Sequence, residues 1–406
     1  MTAPSARDVQ NFDLRALPDG FSDDPYPTYA ALRRDDPLHK LPGEDGYLLT
    51  RYADIIAIYR DPRCSSDKTE DFRPRFADGP LYEHHTTSLV FNDPPLHTRI
   101  RSILVAALSP RALESMVPGL EALVERLLDD IEAQGAFDLI DDFAAAIPVE
   151  VIGNLLSIPH ADRGPLRRWS LDILGALEPS LSAEALARGE QSVREFLSYL
   201  EGLVADRRAH MKDPDEDVLS RLILGDADGE ELTHKELLHN CIFLLNAGHE
   251  TTANLIGNGS HALLTHPGER DRLRADPALI TTAVEELLRF ESPLQLNNRI
   301  TAAPIEVGGV SMPKGTRITL AVAAANRDPA MFAEPDRLDI ARTRNRHLAF
   351  GHNAHTCAGL SLARLEGRIA LGRLFARFPE LRLAGAPLRD PRVRFRGFQR
   401  LPAQIS

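Results

Sequence analysis

The chain reads as mainly α with small β-sheets, an α+β domain, and three observations predict that class. Helical periodicity runs almost unbroken from His97 to about Gly268. Strand-like alternation is confined to stretches before and after that run, interleaved with more helix. No low-complexity linker, repeat period or long charge block divides the 406 residues, so a single domain over 1–406 is expected.

In chain order, a polar, proline-rich start (Pro18 to Pro27) precedes a short helical pattern at Tyr29 to Arg34. Tyr47 to Tyr52 reads as a strand behind the turn Pro42-Gly43-Glu44-Asp45-Gly46. Helices are expected at Ile100 to Leu108, Arg111 to Ala133, Ala144 to Leu156, Glu184 to Lys212 and Thr233 to Thr265. Breakers such as Ile158-Pro159 and Asp213-Pro214-Asp215 separate them. After Pro293, Ile305-Glu306-Val307-Gly308-Gly309-Val310 predicts a Gly-Gly hairpin, and Thr316 to Leu320 alternates with period two. Leu360 to Phe378 is helical again, and short strand-like pieces finish the chain.

The formal net charge of −12 argues against a nucleic-acid binder. No run approaches the roughly eighteen apolar residues of a membrane span, and the first residues lack the basic and apolar regions of a signal peptide. Cys64, Cys241 and Cys357 lie far apart, which suits a reducing compartment and excludes a disulfide framework. A cytoplasmic location is expected.

The stretch from Thr233 to Thr265 conflicts with itself. Thr233-His234-Lys235-Glu236 is a capping box, and His266-Pro267-Gly268 closes the helix. The roughly thirty residues between span about 45 Å. Leu237, Leu238, Ile242, Leu245, Leu255 and Ile256 spread around much of the circumference, so the helix should be buried. Its centre nevertheless reads Ala247-Gly248-His249-Glu250-Thr251-Thr252. An interior Gly costs about 1 kcal/mol against Ala, and a buried carboxylate more unless paired. One reading is a satisfied polar network, or a Gly that admits a neighbouring helix. The other is a helix that opens beside a bulky ligand, with an acid and a hydroxyl for proton handling.

Phe350-Gly351-His352-Asn353-Ala354-His355-Thr356-Cys357-Ala358-Gly359 places one cysteine in a glycine-bounded loop ahead of a helix. A helix N-terminus favours the thiolate, which acts as a nucleophile or as a metal ligand. A zinc site from His352, His355 and Cys357 lacks a clear fourth ligand. Cys64 and Cys241 read as small hydrophobes.

The loop, the helix centre and two further pieces together resemble the cytochrome P-450 family of haem-thiolate monooxygenases. The loop pattern F-G-x-G-x-H-x-C-x-G is matched by Phe350, Gly351, His355, Cys357 and Gly359, with Asn353 where the family usually has Gly. Asn tolerates the left-handed conformation that such a turn needs. The other matches are E-x-x-R at Glu286 and Arg289, Ala247-Gly248-x-Glu250-Thr251, and His97-Thr98-Arg99-Ile100-Arg101. Their order fits across about 260 residues, and the resemblance covers essentially the whole chain.

The resemblance implies haem b held between the long central helix and the Cys-loop helix, with Cys357 as axial thiolate. His97, Arg101, Arg299 and His355 match propionate-binding positions, and Phe350, Gly351, Ala247 and Gly248 would complete the cradle. Glu250 and Thr251 match the residues that deliver protons, and Glu286, Arg289 and Arg337 the structural triad beneath the haem. Family-like position nominates Leu89, Val90, Phe243 and Asn246 for the substrate pocket, joined by Leu294, Leu296, Asn297 and Phe398 from later segments. Gln295, Asn297 and Asn298 hint at a polar group on the substrate.

The implied reaction inserts one atom of O₂ into an apolar or amphipathic organic molecule. No dinucleotide fingerprint or cysteine cluster is present, so electrons would come from NAD(P)H through separate ferredoxin and ferredoxin reductase chains. Seven arginines against one acid between Arg342 and Arg377 are either a solvated face or a docking surface for an acidic ferredoxin. Two rivals are a peroxide-driven peroxygenase and a non-catalytic haem-binding protein. The Glu250-Thr251 pair speaks against both.

Overall fold

The computed structural model describes residues 5–225 and 229–405. Helix His234–Thr265 runs through its middle, capped as the sequence predicts. The Glu236 N–H donates to the Thr233 hydroxyl at 3.2 Å, and the Thr233 N–H to the Glu236 carboxylate at 2.8 Å. Helices Ala146–Leu155, Leu166–Gly175, Ala183–Ala209, Ile280–Phe290 and Leu360–Arg377 pack around it. Leu238, Ile242, Leu245, Leu255 and Ile256 therefore sit in the main hydrophobic core, each contributing about 1.5–3 kcal/mol by burial. In the Cys-loop helix Leu360–Arg377, Gly367 lets the chain approach closely, since a Cβ there would meet Leu255 at 3.0 Å. Its neighbour Glu366 is 1 % exposed, and burial pushes that carboxyl up to about 8, so it packs as a neutral acid.

A five-stranded sheet lies beside this helical body in the order Leu38–Lys40, Gly46–Leu49, Arg317–Ala321, Leu296–Thr301, Cys64–Ser65. Gly46–Leu49 and Arg317–Ala321 run parallel; the other neighbours are antiparallel. The register sets Asn298 opposite Thr319 and Ser65 opposite Ile300, which fixes strand Leu296–Thr301 at the edge of the site. Gly308 and Gly309 both have positive φ, 55° and 82°, as the predicted hairpin between Ile305–Val307 and Val310–Met312 requires.

Several helices have no counterpart in the sequence reading, Leu166–Gly175 among them. Tyr52–Arg60 begins where a strand was expected to end, and Thr69–Phe76 and Pro80–Thr87 are short. Thr69–Phe76 contains Pro74 and is held instead by aromatic packing, Phe72 on Phe91 at 5.0 Å and on Phe76 at 5.2 Å. Tertiary contacts override weak propensity there. The expected helix Ala144 to Leu156 starts with a π-helical turn, Ile140–Ala144. Among the described residues no single helix is long and apolar enough to cross a membrane.

Candidate active site

Most of the middle of the central helix is buried, but Phe243, Ala247, Thr251 and Asn254 keep accessible surface. Spacings of four, four and three put them on one stripe, so the helix turns that face to an opening in the protein. The helix itself does not open. It stays α-helical through this stretch, and Thr251 Oγ1 donates to the Ala247 carbonyl at 2.7 Å. Gly248 also departs from its expected place in the cradle: a Cβ there would lie 2.5 Å from Ile152 Cδ1, so the glycine admits helix Ala146–Leu155.

Glu250 is 2 % exposed and pairs with Arg392, which Asp390 holds in turn at 2.8 Å. Burial pushes the Glu250 carboxyl up to about 7, against the pull of Arg392. Such an acid can take up and release protons near neutrality. Neighbouring His249 is buried with neither ring nitrogen partnered, and burial lowers it to about 3.

In the Cys loop the Cys357 N–H donates to the Phe350 carbonyl at 2.8 Å, closing the turn. Gly351 has φ +69°, and a Cβ there would meet the His355 carbonyl at 3.1 Å, so only glycine fits without strain. Asn353 takes the left-handed conformation, φ +60°, with its carbonyl accepting from Thr356 Oγ1 at 2.7 Å. The Arg364 guanidinium lies 4.9 Å from the Phe350 ring. Burial raises the Cys357 thiol, while the Gly359 N–H, Arg101 and Arg364 pull the other way. The thiolate thus needs a bound cation to be fully stable there.

Next to the thiol, the rings of His97 and His355 are 4.0 Å apart, and Arg101 and Arg299 act on both. Arg299 is 6 % exposed and donates to the Asn298 carbonyl at 2.8 Å. Among the described residues none of these four groups has a carboxylate within 4.0 Å, and the buried His97 Nε2 has no partner. The buried Arg299 guanidinium and half-buried Arg101 call for anions brought by a ligand, to which the neutral imidazoles of His97 and His355 can donate. A haem supplies two propionates beside an iron that a cysteine thiolate can hold, so the donor set fits it.

Beneath the loop, Glu286 and Arg289 are fully buried and form a bidentate pair with both contacts at 2.8 Å. The third member is Arg342, not Arg337: Arg342 Nε reaches both Glu286 oxygens, at 3.2 and 3.1 Å. Asn345 adds a bond to Glu286 at 3.1 Å. Arg337 points outward to Glu334, its side chain 59 % exposed, and contributes only its carbonyl to Arg289.

The nominated pocket residues divide. Asn246 is buried with Nδ2 3.4 Å from His84 Nε2 and its Oδ1 unpartnered. The Leu89 N–H donates to Asn240 Oδ1 at 3.1 Å, and Val90 is 40 % exposed. Leu294 forms a β-bridge to Phe395. Three nominations fail. Leu296 packs into a separate N-terminal core with Tyr29 and Leu48. Asn297 donates to the Tyr59 hydroxyl at 3.1 Å and accepts from the Asn298 N–H at 2.8 Å, so it braces the strand. Phe398 packs on His261 and Arg389, about 15 Å along the helix from Thr251. The hinted polar group loses support as well, since Gln295 Nε2 is spent on the Ser292 carbonyl.

Arg392 and Phe395 were missed. The alternation Arg392, Arg394, Arg396 in a strand-like stretch is the signal that could have found them. The arginine-rich segment is mostly self-satisfied: Arg342 pairs with Glu286, Arg364 with Glu285, Arg373 with Glu121 and Glu125, and Arg377 with Glu125, Asp129 and Glu132. Arg344, Arg346 and Arg368 have no ion pair among the described residues. A groove of about 500 Å³ on the Cys357 side is lined by Arg101, Val105, Leu113, Leu365 and Arg368.

Comparison with known proteins agrees with this geometry. The cytochrome P450 family model matches residues 177–391. Vitamin D(3) 25-hydroxylase of Pseudonocardia autotrophica is 43 % identical over 372 residues, 90 % of this chain and 89 % of that one. The 6-deoxyerythronolide B hydroxylase of Saccharopolyspora erythraea is 38 % identical over 376 residues, 90 % and 91 % of the two chains. The solved structure of epothilone D-bound cytochrome P450epoK matches with a TM-score of 0.89 at 31 % identity, over 97 % of this chain and 99 % of that one. With its α-rich body, cysteine loop and buried cations, the chain belongs to the cytochrome P450 family: it is a bacterial-type haem-thiolate monooxygenase with haem b as cofactor.

Proposed function

We propose that the protein oxidises an apolar or amphipathic small organic molecule, inserting one atom of O₂ at a position held against the Ala247–Thr251 stripe. Cys357 would hold the haem iron, and His97, Arg101, Arg299 and His355 would neutralise the propionates. The bound haem supplies oxygen activation, which the thiolate's electron donation favours. The chain's own residues handle protons. Glu250, poised near neutrality, takes a proton from the outer side, where Arg392 and Asp390 hold its carboxylate. Thr251, with its hydroxyl hydrogen committed to the Ala247 carbonyl, offers lone pairs toward the opening and orients water there. Electrons would arrive from NAD(P)H through a separate ferredoxin and ferredoxin reductase, docking on the Cys357 side where Arg101 and Arg368 line the groove.

The observation that carries this reading is a protonatable buried acid next to a hydroxyl on the accessible stripe of an otherwise buried helix. Thr251→Ala is expected to keep haem and substrate binding while diverting most reducing equivalents to peroxide. Product formed per NADPH consumed checks it, and an unchanged ratio would remove Thr251 from the proton path.

A further inference from the structure

Lys68, at the N-cap of helix Thr69–Phe76, is 1 % exposed. Among the described residues no carboxylate lies within 4.0 Å of its ammonium and no hydrogen bond from it is made. Burying an ammonium without a partner is strongly unfavourable, and proteins ordinarily pair it or cage it in carbonyls. The local acids are already committed. Asp71 pairs with Arg317, and the Glu178 carboxylate accepts from the Val393 N–H at 2.9 Å and the Arg394 N–H at 3.2 Å. Burial, with Arg299 and Arg394 opposing Asp71, draws the Lys68 ammonium down to about 7.

Two arginines share this ground. Lys68, Phe72, Arg75 and Phe76 follow at steps of four, three and one, so they lie on one helix face. Arg75 donates to the carbonyls of Ala176, at 2.7 Å, and Glu178, while its buried Nε has no partner. Arg394 donates to the carbonyl between them, Leu177, at 3.1 Å, and to that of Leu296 at 3.4 Å. Both guanidinium groups therefore meet over three consecutive residues. Arg394 is half-buried and keeps part of its surface accessible. It sits between Arg392, which pairs with Glu250, and Phe395, which bridges Leu294, so this segment runs from the anchored arginines to the proton-handling helix. His85, packed on Phe72 and Phe76 and kept neutral by burial, leaves Nε2 unpartnered beside it. Lys68, Arg75 and Arg394 thus share two carboxylates, Asp71 and Glu178, that Arg317 and backbone N–H groups already occupy, among aromatic side chains.

We propose that Lys68 and Arg394, with Arg75 behind them, form a binding site for the anionic end of the substrate, and that this substrate is an amphipathic monocarboxylate. The apolar body would run along Phe72 and Phe395 toward Thr251. The proposal rests on the monooxygenase reading, because it places the oxidised carbon at the far end of the same bound molecule.

The test is calorimetric titration of the purified haem protein with dodecanoic acid, methyl dodecanoate, dodecan-1-ol and dodecyl phosphate, below their aggregation limits. The acid should bind roughly 10-fold or more tighter than the ester and the alcohol, and K68M should abolish that preference while K68R retains it. K68M breaks no hydrogen bond or ion pair among the described residues, so it should fold; R394Q, which loses the Leu177 contact, serves as a second variant checked by its melting temperature. Equal affinity for acid and ester in the native protein, or an acid preference that survives K68M, overturns the proposal. Tighter binding of the phosphate than of the acid overturns the carboxylate assignment. The carbon monoxide difference band of the reduced protein is read separately: its absence would strike the haem-thiolate reading, whereas the titration alone strikes this one.

Discussion

On the Cys357 side of the molecule, buried Glu286 and Arg289 and half-buried Arg342 and Asn345 are joined through the Glu286 carboxylate. On the opposite side, His84, His85, Asn246 and His249 are equally buried, yet each leaves at least one polar atom unpartnered. The first region is a frame whose charges the fold satisfies by itself, so its geometry is set before any ligand arrives. The second keeps unsatisfied donors and acceptors at a cost the fold alone does not recover. A fold tolerates such groups where a ligand or water completes them. On the function proposed above, the difference would separate the part of the protein that holds the cofactor from the part that selects what is oxidised.

The largest effect expected from breaking this contrast is on the frame. Arg342→Ala strips a partner from a fully buried carboxylate and should cost about 3–5 kcal/mol, lowering haem retention. Arg337→Ala, on an exposed side chain, should stay within about 0.5 kcal/mol. Denaturant melts of the two variants check the assignment, and equal losses would return Arg337 to the triad. Gly248→Ala should cost about 1–3 kcal/mol by pushing a methyl into Ile152. Adding Ile152→Val removes the clashing Cδ1 and should restore most of the loss in a double-mutant cycle.

A smaller effect concerns Glu366, which, like the Asn345 Oδ1, is an exception within the satisfied region. Its folded pKa is raised, so the stability carried by the protonated acid is full below the ordinary Glu value of 4.5 and disappears as pH rises through about 8. Between neutral pH and full ionisation the protein should lose on the order of 1–2 kcal/mol that Glu366→Gln does not lose. Melting temperature against pH for both proteins reads it. Smallest is Asn353→Gly: glycine suits φ +60° but loses the bond from Asn353 Nδ2 to the Tyr59 carbonyl, for a net change within about 0.5 kcal/mol. The haem potential should move little, and a large shift would mean that the asparagine shapes the N–H groups near the sulfur.

The frame was legible in the sequence because its parts are local. The capping box at Thr233, the cysteine loop with its left-handed Asn353, and the Glu286–Arg289 pair each sit within one turn of chain. What failed lies in irregular chain, where spacing has no period. Arg342 and not Arg337 turns inward, and Phe395 and not Phe398 faces Leu294, because tertiary packing chooses among near neighbours. For Gly248 the plainer of the two readings proved right. Lys68 carries no local signal, since nothing within a few residues tells a buried lysine from a solvated one.

The knot of Arg75, Ala176–Glu178 and Val393–Arg394 also bears on how the chain acquires its shape. Arg75 reaches Ala176 across 101 residues, and Glu178 reaches Val393 across 215. Contacts so distant along the chain form late, after nearer ones have removed most of the closure entropy. The His97–His355 contact of the cofactor cradle spans a still longer stretch of chain, so cradle and knot both depend on the local helices being in place first. Segments that are hundreds of residues apart are therefore stitched together at two places, and both stitches are expected to be late events in folding.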